Sequence, residues 1–333
     1  MPDALLVRTR LEKHLLELEG VVGVSHCNPC EKIILYVEDE TWAEAVPSVL
    51  AGLPVEIKIV GKVTILPLLT QQIIPNRLKH RPILGGISIS PPERIAGTLG
   101  IITKDGKILT NAHVLAIDYQ GRKYYEKGTP IIQPGILDDG NPKTDVVGYL
   151  DYYIPIKDEE NTVDVAIGIP IVETRQMEVL GLGEVDGWTD PIIGMKVTKA
   201  GRTTGITRGQ IIDIHATLKV YGYTTTKKGY AIFEDLIVIE PAMSSGGDSG
   251  SLLVNEKGRA VGLIFAGSKF ITVACKIRNV IDSTGVDLGE YQKPEIPPPT
   301  PPRKTRYEPV SILMSVLPFG LLVWGMKGEG DIE

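Results

Sequence analysis

Cysteine is scarce in this chain. Cys27, Cys30 and Cys275 are the three among 333 residues, too few to hold a protein of this size in a disulfide framework. That usage fits a reducing compartment, or a protein that needs no bridges. Aromatic residues are sparse too, at 6%. Positive charge is not in excess: the formal net charge is -6, which removes the global positive field that draws a protein to nucleic acid, and no such partner is expected. The N-terminus, MPDALLVRTRLEKHLLELEG, carries charges throughout and lacks the uninterrupted apolar stretch of a signal peptide, so Sec-type export is not supported. There is no internal repeat. Long uncharged apolar runs are missing everywhere except near the C-terminus.

What is present is 43% hydrophobic residues, 36 glycines and 24 prolines. This is enough apolar material for at least one sizeable core, and it is divided into short Ile/Val/Thr runs that favour strands and turns over long helices. Asp3 can cap a helix reaching Gly20, with Leu5, Leu11, Leu15 and Leu18 on one side. The runs VVGVSH, KIILYVED and VEIKIVGKV can supply a sheet for it, with a short helix around TWAEAVPSVL. Residues 1–72 therefore read as a small α+β domain, and QQIIPNRLKHRP follows as a basic connector. Over residues 83–290 many short apolar runs alternate with Gly, Asp and Pro, a pattern suited to a closed β-barrel or a pair of them. Residues 291–308 form a proline-rich, extended linker, and residues 309–326 an apolar segment.

The stretch SSGGDSGSLLVN, from Ser244 to Asn255, raises the question of a nucleophile. A serine hydroxyl needs a base within reach and a third group to orient that base. Of the five histidines, His14 falls on the first helix, His26 beside a cysteine turn and His80 in the connector, while His215 sits in a strand pattern. His113, in KILTNAHVLA, lies where a strand ends in small residues and a side chain can reach a cleft. The orienting carboxylate should be buried, because an unpaired buried charge is costly and implies a partner. Asp164, bracketed by Val163, Val165, Ala166 and Ile167, meets this better than Asp145, which follows a lysine-containing turn and can be solvated.

LTNAHVLA, VDVAIG and GGDSGSLLV, in the order His, Asp, Ser, resemble the triad motifs of chymotrypsin-like (trypsin-like) serine peptidases. KAGRTTGITRGQI and VGLIFAGS, behind a small α+β domain, are similar to a largely prokaryotic group of these proteins that also resembles the plant narrow-leaf proteins. The resemblance covers about residues 10–285. It implies a mainly β fold, two six-stranded antiparallel β-barrels with the site between them. It also implies a serine endopeptidase acting on protein or peptide substrates with no cofactor. His113 would be the general base, Asp164 would hold its imidazole and Ser249 would attack the carbonyl. The N–H groups of Gly247 and Ser249 would form the oxyanion hole. Phe265, Ala266 and Gly267 would pair with the substrate backbone, and Met243 would lie near the base of the specificity pocket, which points to apolar side chains before the scissile bond. A catalytically silent peptide-binding protein, or a membrane-attached assembly protein, is the alternative on the same fold.

Three further motifs remain. PILGG, residues 82–86, resembles the freed N-terminus of secreted peptidases, but is read as coincidence, which leaves Asp248 in need of another partner. HCNPC has the spacing of half a zinc site or a redox pair, yet two more ligands are wanting and only adjacent His26 is a candidate, so the two thiols are read as incidental and no metal is expected. Val310 to Met326 gives 17 residues without a charge, at the short end of what spans a bilayer. Arg303, Lys304 and Arg306 precede it and Lys327 follows, which predicts a C-terminal membrane anchor with the peptidase domain in the cytoplasm.

Overall fold

The computed structural model describes residues 3–27, 30–65, 75–93, 95–118 and 123–295. The proline-rich linker beyond residue 295 and the apolar segment 309–326 lie outside the described residues, as does part of the connector. The described residues form one compact unit.

The N-terminal part runs α1 (Ala4–Glu17), β1 (Val21–Cys27), β2 (Lys32–Val37), α2 (Glu40–Ala45), β3 (Val49–Leu50), β4 (Leu53–Ile59) and β5 (Thr64–Ile65). Asp3 caps α1 as expected, accepting from the Leu5 amide at 2.9 Å. The buried stripe is different from the expected one. Ala4, Val7, Leu11 and Leu15, spaced by three and four, meet Val24, Ile33, Leu35 and Leu53 of the sheet, whereas Leu5 and Leu18 are exposed. Helical periodicity rather than leucine content selects the face. The helix also stops at Glu17, three residues before Gly20.

The first barrel contains β6 (Ile83–Gly85), β7 (Ser88–Ile89), β8 (Gly97–Thr98), β9 (Ile101–Ile102), β10 (Ile108–Thr110), α3 (Ala112–Leu115), β11 (Pro130–Ile132), β12 (Val146–Tyr153) and β13 (Ala166–Pro170). Strands β14 (Thr174–Val179) and β15 (Gly183–Glu184) follow, with β14 beside β6. Five strands pair in the order β11-β12-β13-β10-β9, β7 pairs with β8, and a bridge from Ser90 to Ile132 brings the chain after β7 back to β11. Its interior holds Ile87, Ile89, Leu99, Ile102, Ile108 and Val147.

The second barrel is closed outright. Its strands are β16 (Lys196–Gly201), β17 (Gly205–Tyr221), β18 (Tyr230–Glu240), β19 (Leu252–Asn255), β20 (Ala260–Gly267) and β21 (Thr272–Lys276), followed by α4 (Ile277–Thr284). They pair β16-β19-β20-β21-β18-β17, and β17 pairs back to β16. Closure removes the free edges that an open sheet would expose. All eight residues of β20 are buried, because Leu263 and Phe265 pack into one apolar cluster while Val261 and Ile264 pack into another. At roughly 1.5–3 kcal/mol for each large aliphatic side chain removed from water, such doubly covered strands anchor the loops between them. The mainly β, two-barrel class is borne out, with the α+β part ahead of it. The N-terminal sheet is continuous with the second barrel, since β1 pairs with β17 through Gly23 to Leu218 and Val24 to Thr217.

Cys27 and Cys30 are joined as a disulfide with Cα atoms 5.3 Å apart. The two thiols are therefore not incidental, because the β1–β2 hairpin brings their Cα atoms within bridging range. Cys275 is free and buried.

Candidate active site

His113 is delivered by the end of β10. The strand stops at Thr110, Asn111 turns the chain and His113 stands in the single turn of α3. The adjoining strand β13 begins at Ala166, so Asp164 arrives from the loop just ahead of it. Three bonds fix the pair: the Asn111 amide donates to the Asp164 carbonyl at 2.7 Å, the His113 backbone N–H to Asp164 Oδ1 at 3.2 Å, and His113 Nδ1 to Asp164 Oδ2 at 2.5 Å. Asp164 is fully buried. Burial pushes its carboxyl pKa up, but the His113 ring and the surrounding donors outweigh this and hold it below the ordinary value. The competing carboxylate, Asp145, is also almost buried, yet Lys79 and the Asn141 amide take it up at 2.5 and 2.9 Å.

A second donor to Asp164 Oδ2 was not foreseen from the sequence. Tyr223, just past the end of β17, donates its hydroxyl to that oxygen, and its ring lies edge-on to His113 with centroids 6.2 Å apart. Its own pKa is pushed well up by burial and by the Asp164 charge, so it stays a donor. Tyr223→Phe is expected to lower hydrolysis about tenfold, the scale of one hydrogen bond to a charged group. With one donor fewer opposing burial, the Asp164 carboxyl pKa rises, and the stability carried by its charge is lost at a higher pH as the solution is acidified. Acid unfolding of the variant with the same midpoint pH as wild type would refute this role.

Ser249 sits in the loop between β18 and β19, pressed against the strand end that carries His113. Thr98 joins the two barrels here: its amide donates to the Ser249 carbonyl at 2.8 Å and its hydroxyl to the Gly247 carbonyl at 2.8 Å, while Thr110 donates to the Thr98 carbonyl at 2.7 Å. Gly250, at φ +92°, is the residue that permits this approach, since a Cβ would lie 2.2 Å from both Thr110 Oγ1 and the Thr98 carbonyl. Among the described residues the Ser249 hydroxyl donates only a long bond, 3.5 Å, to the Phe265 carbonyl. The amides of Asp248, Gly250 and Ser251 are bonded to Ser245, Ile264 and Asp248. Those of Gly247 and Ser249 have no acceptor among the described residues.

Asp248 finds its partners inside the fold. Lys199 Nζ stands 3.3 Å from Asp248 Oδ2 with both side chains fully buried. The carboxylate also accepts from the amides of Thr203, Thr204 and Ser245 at 2.8, 3.1 and 3.0 Å and from the Thr204 hydroxyl at 2.6 Å. Burial lowers the Lys199 pKa and Asp248 works against that fall. Removing one member of such a pair strands a buried charge, a cost of about 3–5 kcal/mol, so the loop geometry depends on Lys199. No freed N-terminus is needed: Ile83 is internal, its amide donating to the Glu173 carbonyl at 3.0 Å. Arg202, also buried, spans the barrels with a bidentate pair to Asp138 at 2.6 and 2.7 Å.

A cleft of about 610 Å³ adjoins the serine loop, lined by Ser244, Ser245 and Gly246 on one wall, Gly267, Ser268 and Lys269 on another, and Lys62 and Thr64 from the N-terminal part. Gly267 thus faces it. Met243 is instead packed among Val197, Ile211 and Ile237, and the Phe265 ring against Phe233 at 4.7 Å. His26 and His215, from β1 and β17, stack with ring centroids 5.2 Å apart. Among the described residues no cluster of three His, Cys, Asp or Glu could hold a metal ion.

A family model described as the Nal1 C-terminal domain matches residues 141–291, in agreement with the resemblance to the plant narrow-leaf proteins. No curated protein matches the chain. Among solved structures, a chymotrypsin of Cellulomonas bogoriensis is similar, 17% identical over 62% of this chain and 97% of its own, with a TM-score of 0.44. Protease A of Thermobifida fusca is 19% identical over 62% and 98%, with a TM-score of 0.44. The Nocardiopsis protease is 17% identical over 62% and 99%, with a TM-score of 0.43.

Proposed function

We propose that this chain is a serine endopeptidase that hydrolyses peptide bonds through an acyl-enzyme. The observation that carries the reading is the buried Asp164 carboxylate bonded at 2.5 Å to His113 Nδ1, in a fold that packs the Ser249 loop against the same strand end. With Nδ1 donating to Asp164, the proton-free Nε2 is left to receive the Ser249 proton as the hydroxyl attacks the carbonyl carbon. The developing oxyanion is taken by the amides of Gly247 and Ser249, which have no acceptor among the described residues, each such donor being worth about 3 kcal/mol in the transition state. Nε2 then returns the proton to the leaving amine. Water repeats the sequence to release the acyl group. The Ser249 hydroxyl rotates from the Phe265 carbonyl toward His113 when substrate arrives, since catalytic hydrogen bonds tighten in the substrate complex.

A fluorophosphonate probe tests this. The full-length chain, uncut ahead of Ile83, is expected to label, and Ser249→Ala is not. Folded wild-type protein that stays unlabelled would favour the silent, peptide-binding alternative.

The proposal extends to a C-terminal membrane anchor at residues 310–326 with the peptidase domain in the cytoplasm. It is supported by the uncharged run and by the basic residues ahead of it. Among the described residues no helix is long and apolar enough to cross a membrane. Full-length protein is expected in the membrane pellet after carbonate washing, and protein recovered wholly in the supernatant would exclude the anchor.

A further inference from the structure

Strand β20 is hydrogen-bonded on both sides for most of its length. On one side β21 continues to its end, with Val273 opposite Ala266 and Thr272 opposite Gly267. On the other, β19 reaches Leu263, and Gly250 and Ser251 extend the ladder to Ile264. Past that point this second edge passes Ser249, whose hydroxyl lies 3.5 Å from the Phe265 carbonyl, and continues along Ala266 and Gly267. An extended peptide presenting a carbonyl to Ser249 must lie along this edge and add to it as a strand.

The edge is already taken. Strand β5 pairs antiparallel with it, Ile65 opposite Ala266 and Thr64 opposite Gly267, so its chain direction runs toward Ser249. The segment ahead of β5 is clamped. Ser268 donates to the Val60 carbonyl at 2.6 Å, the Tyr221 amide to the Val63 carbonyl at 3.1 Å, and Val60 and Val63 are buried. Thr64 and Ile65 themselves are only half-buried. Ile65 lies over Gly222, where a Cβ would come within 2.4 Å of its Cγ1.

We propose that β5 is an intramolecular occupant of the peptide-binding edge, which keeps extended peptides out of the cleft until residues 64 and 65 leave it while residues 60–63 stay anchored. The consequence for catalysis rests on the peptidase reading; the occupancy does not. Two links follow from the register. Substrate backbone and β5 compete for the same edge of β20 at Ala266 and Gly267, where the backbone groups of Gly267 face outward. A small acyl group that reaches Ser249 without a peptide extension has no need of that edge.

Ile65→Pro removes the amide that the Tyr221–Thr64 bridge turns toward β17, loosening β5 from its other neighbour, without touching the triad or the oxyanion donors. A fluorescent synthetic peptide with the sequence of residues 60–67, VGKVTILP, is titrated into the Ser249→Ala chain with and without Ile65→Pro. Binding is expected to be at least about tenfold tighter when β5 is disabled, the scale of one net hydrogen bond. Equal affinity, including binding to neither, overturns the proposal. On the Ser249 chain, Ile65→Pro is expected to raise kcat/KM for extended peptides by a similar factor and to leave p-nitrophenyl acetate hydrolysis unchanged; the two rising together also overturns it. Should circular dichroism show that the proline variant does not fold, Thr64→Gly with Ile65→Gly replaces it with the same outcomes. Because the binding arm involves no chemistry, failure of the peptidase reading and failure of this one are separable.

Discussion

Alanine in place of Ser249 is expected to lower peptide and ester hydrolysis by about 10⁶, to the background that oxyanion donors and binding alone provide. The cause is loss of the hydroxyl that the proposed function makes the nucleophile. Folding should survive, because the Ser249 hydroxyl contributes one long bond to the Phe265 carbonyl, while the loop is held by Asp248, Gly250 and Thr98 through groups that alanine leaves in place. His113→Ala is expected to cost about as much, and the double variant little more, since residues acting as a unit are not additive. Steady-state hydrolysis and thermal unfolding of the three variants check this. Activity of Ser249→Ala within tenfold of wild type would remove it as the nucleophile.

Asp164→Asn is expected to lower kcat by about 10⁴ in a folded protein. The carboxylate accepts from His113 Nδ1, the His113 backbone N–H and Tyr223. An amide offers one oxygen in place of two and adds an N–H, so it can donate to Nδ1 and place the ring proton on Nε2. That tautomer has nothing to receive the Ser249 proton with. Asp145→Asn is the control. Its partners are Lys79 and Asn141, and its kcat is expected to stay near wild type. The reverse ranking of the two variants would mean that the orienting carboxylate is Asp145.

The order His113, Asp164, Ser249 was legible in the chain because each stands in a short motif whose neighbours betray its setting: small residues after a strand, apolar residues around a lone carboxylate, glycines around a serine. The short apolar runs likewise identify strands, since they record burial along a single element. Tyr223, Lys199 and Thr98 left no such mark. Tyr223 lies in a Gly-Tyr-Thr turn like many others, and its role exists only because β17 ends beside Asp164, 59 residues away in sequence. Lys199 follows Val197 and Thr198 in a strand, and sequence does not reveal that barrel closure puts it beside Asp248. The leucines of α1 misled for a different reason, because Leu5 and Leu18 fall off the Ala4–Val7–Leu11–Leu15 stripe that helical periodicity turns toward the sheet.

Local sequence thus determined what could be settled by a residue and its near neighbours: strand or helix, and which side chains are candidates for nucleophile, base and orienting carboxylate. The seating of β5 on β20, the side-chain support of Asp248 and the joining of the barrels through Thr98 were decided by tertiary structure alone. Each depends on backbone or charged groups brought together from distant parts of the chain, and hydrogen bonds and ion pairs of that kind have no periodicity for a sequence to carry.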